Sequence, residues 1–470
     1  MKRVLSVLLT GLFLTSFSAA FAQVSLDNPS ATGDSIFDGL PKISVPQPGT
    51  PAVTPGPKAA DVKPAPERKW TIMVFMNGKN NLEVAGLYNV NQMENIGSTK
   101  DMNIVVELGR MKGQEGDVDM DGDWTGARRI LVKKDKDSDK ITSPTVATTE
   151  TVDMGDYKRV VDFVTWSKKA YPAKKYMLIL WDHGTGWLDP QQKKKEMPSK
   201  GISFDDETGN YIRTQQIGQI LKESGKVDIL AYDACLMQMG EVAFEVKDYT
   251  EVIVGSEETV PGYGFPYGIF LGVLAKNPGM SAEELGSITV DAFKLFYDKV
   301  KKSAQLSAIR SSKLDTLGAK LAEFGKLAKD VNDAEALKAA RTGVMRYDIL
   351  GKDSDPNMTI SFFGDLAQYA QLLAANAKGT DAKTASLKEK SAALQDFIKK
   401  ELVIANKASG KNNAGRELSE STGISVYLPP AEVRVPQEKL EGIFEGKYTE
   451  FAFDKATGWH DFVTYLYGVK

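Results

Sequence analysis

Two segments decide the fold: YMLILWDHGTGW (176–187) and VDILAYDACLM (227–237). Each opens on a short run of large apolar and β-branched residues, the pattern of a strand buried on both faces. Each run then breaks at an aspartate, and a chemically useful side chain follows: His183 after Asp182, and Cys235 after Asp233. Outward from these two, Trp70 to Met76, Asn103 to Leu108 and Glu251 to Ser256 have the same strand character. Between them lie stretches with helical spacing: Leu87 to Ile96, Tyr157 to Lys169, Thr214 to Ser224, and the chain from Glu241 onward. Strands alternating with helices predict an α/β protein with a mostly parallel sheet covered on both faces. From about 310 to 407 the composition shifts to Ala-, Leu- and Lys-rich helical segments, and strand character returns at Gly423 to Pro430. That pattern predicts a helical C-terminal region with a late strand returning to the core.

In open parallel sheets, sites lie just beyond the carboxyl ends of the strands. Two neighbouring strands would therefore deliver His183 and Cys235 to one crevice. Cys235 is the single cysteine of the chain, and His183 and His460 are its two histidines. A lone thiol often packs as a small inert hydrophobe. The matching placement of an imidazole argues instead for a nucleophile and a general base. His460 has no thiol near it in sequence and reads as structural. An unhindered amide at Gly184, with that of Cys235, can hold the oxyanion formed when a carbonyl is attacked. A plain strand-to-loop turn is the other reading of Gly184 and Gly186.

The 470 residues, 42% hydrophobic, are enough for one large or two modest domains. A net charge of −3 provides no global attraction to nucleic acid or anionic membrane. Lys2 and Arg3, the apolar run Val4 to Phe17 and Ala20-Phe21-Ala22 form a signal-peptide pattern ending at residue 22. The protein is expected to be exported, either secreted or periplasmic, and no later stretch reads as a membrane span. Residues 23–68 are rich in Pro and Ala and read as a linker or pro-segment. Asp117, Asp119 and Asp121, followed by Gly122, have a spacing that can wrap calcium. Arg128 stands where such a loop places its bidentate glutamate, which favours an acidic surface loop over a metal site.

The two quoted segments, with WTIMVFM (70–76), NNLE (80–83), WTGARR (124–129), GSEETVPG (255–262) and GISVYLP (423–429), resemble the clostripain-like cysteine peptidases. These belong to the wider group that includes caspases, gingipains and legumains. The resemblance runs from about 69 to 470. It implies a caspase-like α/β/α sandwich, with a peptidase domain over 69–305 and a C-terminal region over 306–470. It implies peptide-bond hydrolysis through an acyl-enzyme, with Cys235 and His183 as the dyad and no cofactor needed for the chemistry. It also implies a preference for Arg or Lys before the cut. Asp233 matches the family's pocket aspartate, and Glu257 and Glu258 are further substrate-binding candidates. Members of the family can cut themselves between the dyad strands; here Lys193, Lys194, Lys195 and Lys200 offer the positions. A monomer or a self-cleaved two-chain form is expected, acting on protein or peptide substrates. Two other functions compete: a catalytically silent binding or surface protein on the same fold, and a transpeptidase.

Overall fold

The apolar run at 70–76 lies within β1 (Arg68–Gly78), which is buried from Trp70 onward. The computed structural model describes residues 63–137, 139–187, 201–347, 361–430 and 448–469. The leader, most of the Pro-rich stretch and the four lysines at 193, 194, 195 and 200 lie outside the described residues.

After β1 come β2 (Met102–Arg110), β3 (Gly126–Leu131), β4 (Thr145–Thr149) and β5 (Ala173–Trp181). A short hairpin, β6 (Ile202–Asp205) and β7 (Asn210–Ile212), precedes β8 (Val227–Asp233), β9 (Thr250–Gly255) and β10 (Ala304–Arg310). The later strands are β11 (Arg346–Tyr347), β12 (Phe363–Asp365), β13 (Val403–Ser409) and β14 (Ser425–Tyr427). Nine of them form one sheet in the order β13-β10-β9-β8-β5-β1-β2-β3-β4. Its five central strands, from β9 to β2, are parallel, and both edges are antiparallel. The chain runs from β1 to β2 on one side, then returns to place β5 and β8 on the other. The sheet therefore reverses direction of growth at β1, where α/β proteins open a crevice.

The helices of the first half are α1 (Glu83–Glu94), α2 (Tyr157–Ala170), α3 (Thr214–Ser224), α4 (Gly240–Val246), α5 (Tyr267–Lys276) and α6 (Ala282–Val300). The second half adds α7 (Leu314–Val331), α8 (Ala334–Gly343), α9 (Leu366–Asn376), α10 (Ala382–Phe397), α11 (Ala452–Thr457) and α12 (Trp459–Gly468). Strand alternation sorts them into layers. Met73, Phe75, Leu178, Leu180 and Tyr232 face α2, α3, α4 and α7. Ile72, Val74, Met177, Ile179 and Ala231 face α1, α5 and α6 on the other side. This is the expected α/β/α sandwich with extra C-terminal helices. Burying both faces of five parallel strands at about 25 cal/mol per Å² of apolar surface makes this double layer the main source of cohesion.

The late strand, β14, is buried among the core residues. β14 pairs with β12 in a separate three-stranded sheet and touches the main layer through a bridge from Ser425 to Met239. The strand that does return to the main sheet is β13, which lies antiparallel to β10. The expected boundary at 305/306 falls inside β10, so the main sheet takes strands from both sides of it.

Candidate active site

Four loops meet at the carboxyl edge of the parallel strands. Leu82 follows β1, Asp182 and His183 follow β5, Asp233 to Cys235 end and follow β8, and Val260, Pro261, Gly262 and Gly264 follow β9. Together they line one crevice. The register explains the meeting: Trp181 of β5 pairs with Asp233 of β8, so His183 and Cys235 each lie two residues beyond a matched pair.

The turn that carries the thiol is tightly constrained. Leu236 has φ 61°, a left-handed conformation that a side-chain-bearing residue rarely adopts. Its amide donates to Glu258 O at 3.2 Å, fixing the turn against the loop after β9. Gly184 packs against the same turn. A Cβ there would lie 2.5 Å from Cys235 O and 2.9 Å from Ala234 Cβ. Close backbone approach thus explains why residue 184 is glycine. The Cys235 thiol is half-buried, and Val260 N donates to its Sγ at 3.2 Å.

His183 is half-buried, and its Nε2 lies 2.7 Å from Asn81 Oδ1. Burial pushes the imidazole down to about 4, so it is neutral at physiological pH and able to accept a proton. The neighbouring Asp182 carboxyl is engaged elsewhere. It accepts from Asn80 Nδ2 at 2.7 Å and from Phe204 N, and burial holds its pKa well above the usual range.

Asp233 forms the buried floor. Its Oδ2 accepts from Phe265 N and from the Tyr267 hydroxyl, both at 2.9 Å. Its Oδ1 has no hydrogen-bond partner among the described residues. Burial raises this carboxyl to about 7. Gly264, at φ +63°, stands directly beside it, and a Cβ there would come within 2.8 Å of Oδ2. The glycine keeps open the space in front of the carboxylate.

A family model described as the Clostripain family matches residues 74–465. The chain belongs to the Clostripain family. It is 28% identical over 218 residues to clostripain of Hathewaya histolytica, a match spanning 43% of this chain and 41% of that protein. The solved structure of a secreted C11 cysteine protease from Bacteroides thetaiotaomicron, in complex with an irreversible peptide inhibitor, covers 83% of this chain and 99% of its own. Its TM-score is 0.57 at 19% identity. An inactive zymogen C11 protease from Parabacteroides distasonis covers 84% of this chain and 99% of its own, with TM-score 0.59 at 18% identity. These likenesses support the fold.

Other positions singled out in the sequence fall outside the crevice. Glu257, expected to bind substrate, is fully buried behind it, where its carboxyl accepts from Gln305 Nε2 at 3.0 Å and Gly423 N at 2.9 Å. Glu258 turns back on its own loop, accepting from Thr259 N at 2.8 Å. Neither lines the crevice, because the chain leaves β9 through them before reaching it at Val260. The loop of Asp117, Asp119 and Asp121, which the sequence favours as an acidic surface loop over a calcium site, closes on its own groups. Asp117 accepts from Gly113 N at 2.7 Å, Asp121 from Trp124 Nε1 at 3.1 Å, and Asp123 pairs with Lys112. Arg110, ion-paired to buried Glu83, holds the loop through Val118 O and Met120 O at 2.8 and 2.9 Å. Among the described residues no three acidic, imidazole or thiol groups converge as metal ligands. His460 lies on α12, away from the crevice.

The contact between Asn81 and His183 escaped the sequence reading. Asn80-Asn81 was visible as a family-like segment after a buried strand, but which asparagine reaches the imidazole depends on the backbone path out of β1.

Proposed function

We propose that this clostripain-family chain is an exported cysteine endopeptidase that cleaves after Arg or Lys. The Cys235 thiol attacks the scissile carbonyl while His183 accepts its proton. The resulting tetrahedral oxyanion is held by the amides of Gly184 and Cys235. His183 then protonates the leaving amine, and water releases the acyl group from Cys235. The observation that carries the specificity is the open oxygen of Asp233, buried in the same crevice as thiol and imidazole. A buried carboxylate with an unfilled acceptor is costly, and a cationic side chain entering the crevice removes that cost.

The test is a peptide panel differing only at the residue before the cut. Wild type should cleave after Arg or Lys and little after Asp, Leu or Phe. Cys235→Ala should abolish turnover with the melting curve retained, and His183→Ala should lower it at least about a hundredfold. Asp233→Asn should weaken recognition of basic residues by roughly 2–5 kcal/mol. Unchanged turnover in Cys235→Ala would sink the mechanism. An unchanged ratio of Arg to Leu cleavage in Asp233→Asn would remove Asp233 from the pocket.

A further inference from the structure

We propose that Asn81 positions His183 by accepting the Nε2–H of its imidazole, which leaves Nδ1 as the nitrogen that exchanges the proton of Cys235. The inference rests on the Cys-His reading above and deepens it. An amide oxygen can only accept a hydrogen bond, so with Asn81 Oδ1 at 2.7 Å we assign the ring hydrogen to Nε2. A neutral imidazole has one N–H and one lone pair, so protonation of Nε2 places the lone pair on Nδ1. The proton leaving Sγ then goes to Nδ1, forming thiolate and imidazolium, and from Nδ1 to the departing amine. Through both transfers Nε2–H stays on Asn81, which holds the ring plane and stabilises the transient positive charge.

The loop bearing Asn81 is built to keep it there. Asn80 Oδ1 accepts from Leu82 N at 2.9 Å, while its Nδ2 donates to Asp182 Oδ1 at 2.7 Å and Phe204 O at 2.9 Å. Lys79 is fully buried. Its ammonium pairs with Asp205 at 3.0 Å and with Glu207, and donates to Val152 O at 2.6 Å. The two residues that precede Asn81 are therefore tied to the hairpin β6–β7 and to the His183 loop. The charged and titratable groups on the elements around the imidazole are Asp182 on its own loop, Asp233 and Cys235 after β8, and Asp205, Asp206 and Glu207 opposite Lys79. The Asp182 carboxyl is spent on Asn80 and Phe204, so the group that faces Nε2 is the neutral amide of Asn81.

The experiment uses the full chain, labelled with 15N-histidine in a His460→Gln background so that a single imidazole reports. Long-range proton–nitrogen spectra should show the Nε2–H tautomer, and the Nδ1–H tautomer would overturn the inference directly. Asn81→Asp keeps the acceptor and adds a charge. It should move the imidazole titration upward from about 4, because the carboxylate favours imidazolium. Asn81→Ala should lower kcat about ten- to a hundredfold with KM little changed, the scale of losing a partner that orients a reacting group. It should also slow alkylation of Cys235 by iodoacetamide. Alkylation and turnover that are insensitive to His183→Ala would end the dyad reading and this one with it. If both depend on His183 while Asn81→Ala leaves tautomer, kcat and alkylation unchanged, Asn81 alone is dismissed. A melting curve for each variant separates loss of fold from loss of alignment.

Discussion

At the scale of single residues, the proposed role of Asp233 in recognising basic side chains would connect specificity to pH. Burial holds it near 7, whereas His183 sits near 4. Over the range from pH 5 to 8 the imidazole is neutral throughout, and the Asp233 carboxyl titrates within it. Below about 7 Asp233 carries a proton and presents no charge to an incoming Arg or Lys. Cleavage after basic residues should therefore fall as pH drops through 7, by up to about tenfold per unit, and the loss should appear in KM. Entry of a cation favours the ionised form, so saturating substrate should shift the limb to lower pH. Asp233→Asn should remove the limb altogether. The measurement is kcat and KM against pH for a Lys-terminated peptide in both proteins. A limb that persists in Asp233→Asn would place the titrating group elsewhere.

At the scale of elements, α4 follows the nucleophile's turn and carries a second buried carboxyl. Glu241 accepts from Tyr427 N at 2.9 Å and from the Tyr448 hydroxyl at 2.7 Å through Oε1, while Oε2 has no partner among the described residues. Burial raises its pKa to about 7 against 4.5 for the ordinary group. An acid whose folded pKa is raised binds a proton more tightly folded than unfolded, so its contribution is intact below 4.5 and is lost as pH rises toward 7. The loss is of the order of 3 kcal/mol. Glu241→Gln keeps the Oε1 acceptor without the titration. It should be close to neutral at pH 4.5 and should raise the melting temperature relative to wild type at pH 8. An equal effect at both values would contradict the linkage. Legibility in the sequence also divides by element. The central strands were readable because WTIMVFM and YMLILW are apolar without interruption, as burial on both faces requires. TVATT of β4 and VIANKAS of β13 were missed because edge strands are partly solvated and their composition is polar. At the site, His183 and Cys235 were legible because each follows a readable strand. Asn81 and Val260 were not, since their contacts depend on how loops of different strands fold over one another.

At the scale of the whole molecule, the strands that lead to His183 and Cys235 belong to one sheet but are separated in sequence by the segment that includes Lys193, Lys194, Lys195 and Lys200. Both ends of that segment are anchored beside His183. Thr185 N donates to Gly201 O at 3.1 Å, and Gly201 N donates to Thr185 Oγ1 at 2.7 Å. On the near side Trp187 is buried against Tyr427, Tyr448 and Phe451. On the far side the β6–β7 hairpin is held to β1 through the buried pair of Lys79 and Asp205. The described flanks of the segment that holds the four lysines thus meet beside His183, and on the proposed preference for Arg or Lys we predict a cut after one of these lysines that raises activity. The cut should not release either piece. β5 and β8 are parallel neighbours paired from Met177↔Ile229 to Trp181↔Asp233, and β1, in the same piece as β5, lies on its other side. Separating the pieces would expose that strand pair and the two layers packed on it, which burial opposes far more strongly than one lost peptide bond favours it. Denaturing mass spectrometry of wild type should therefore give two fragments meeting between 188 and 201, while native mass or sedimentation gives one particle. Cys235→Ala, prepared in parallel, should stay a single chain. Equal cutting in both would assign the cleavage to another protease, and an uncut wild type with full activity would remove self-cleavage from the mechanism.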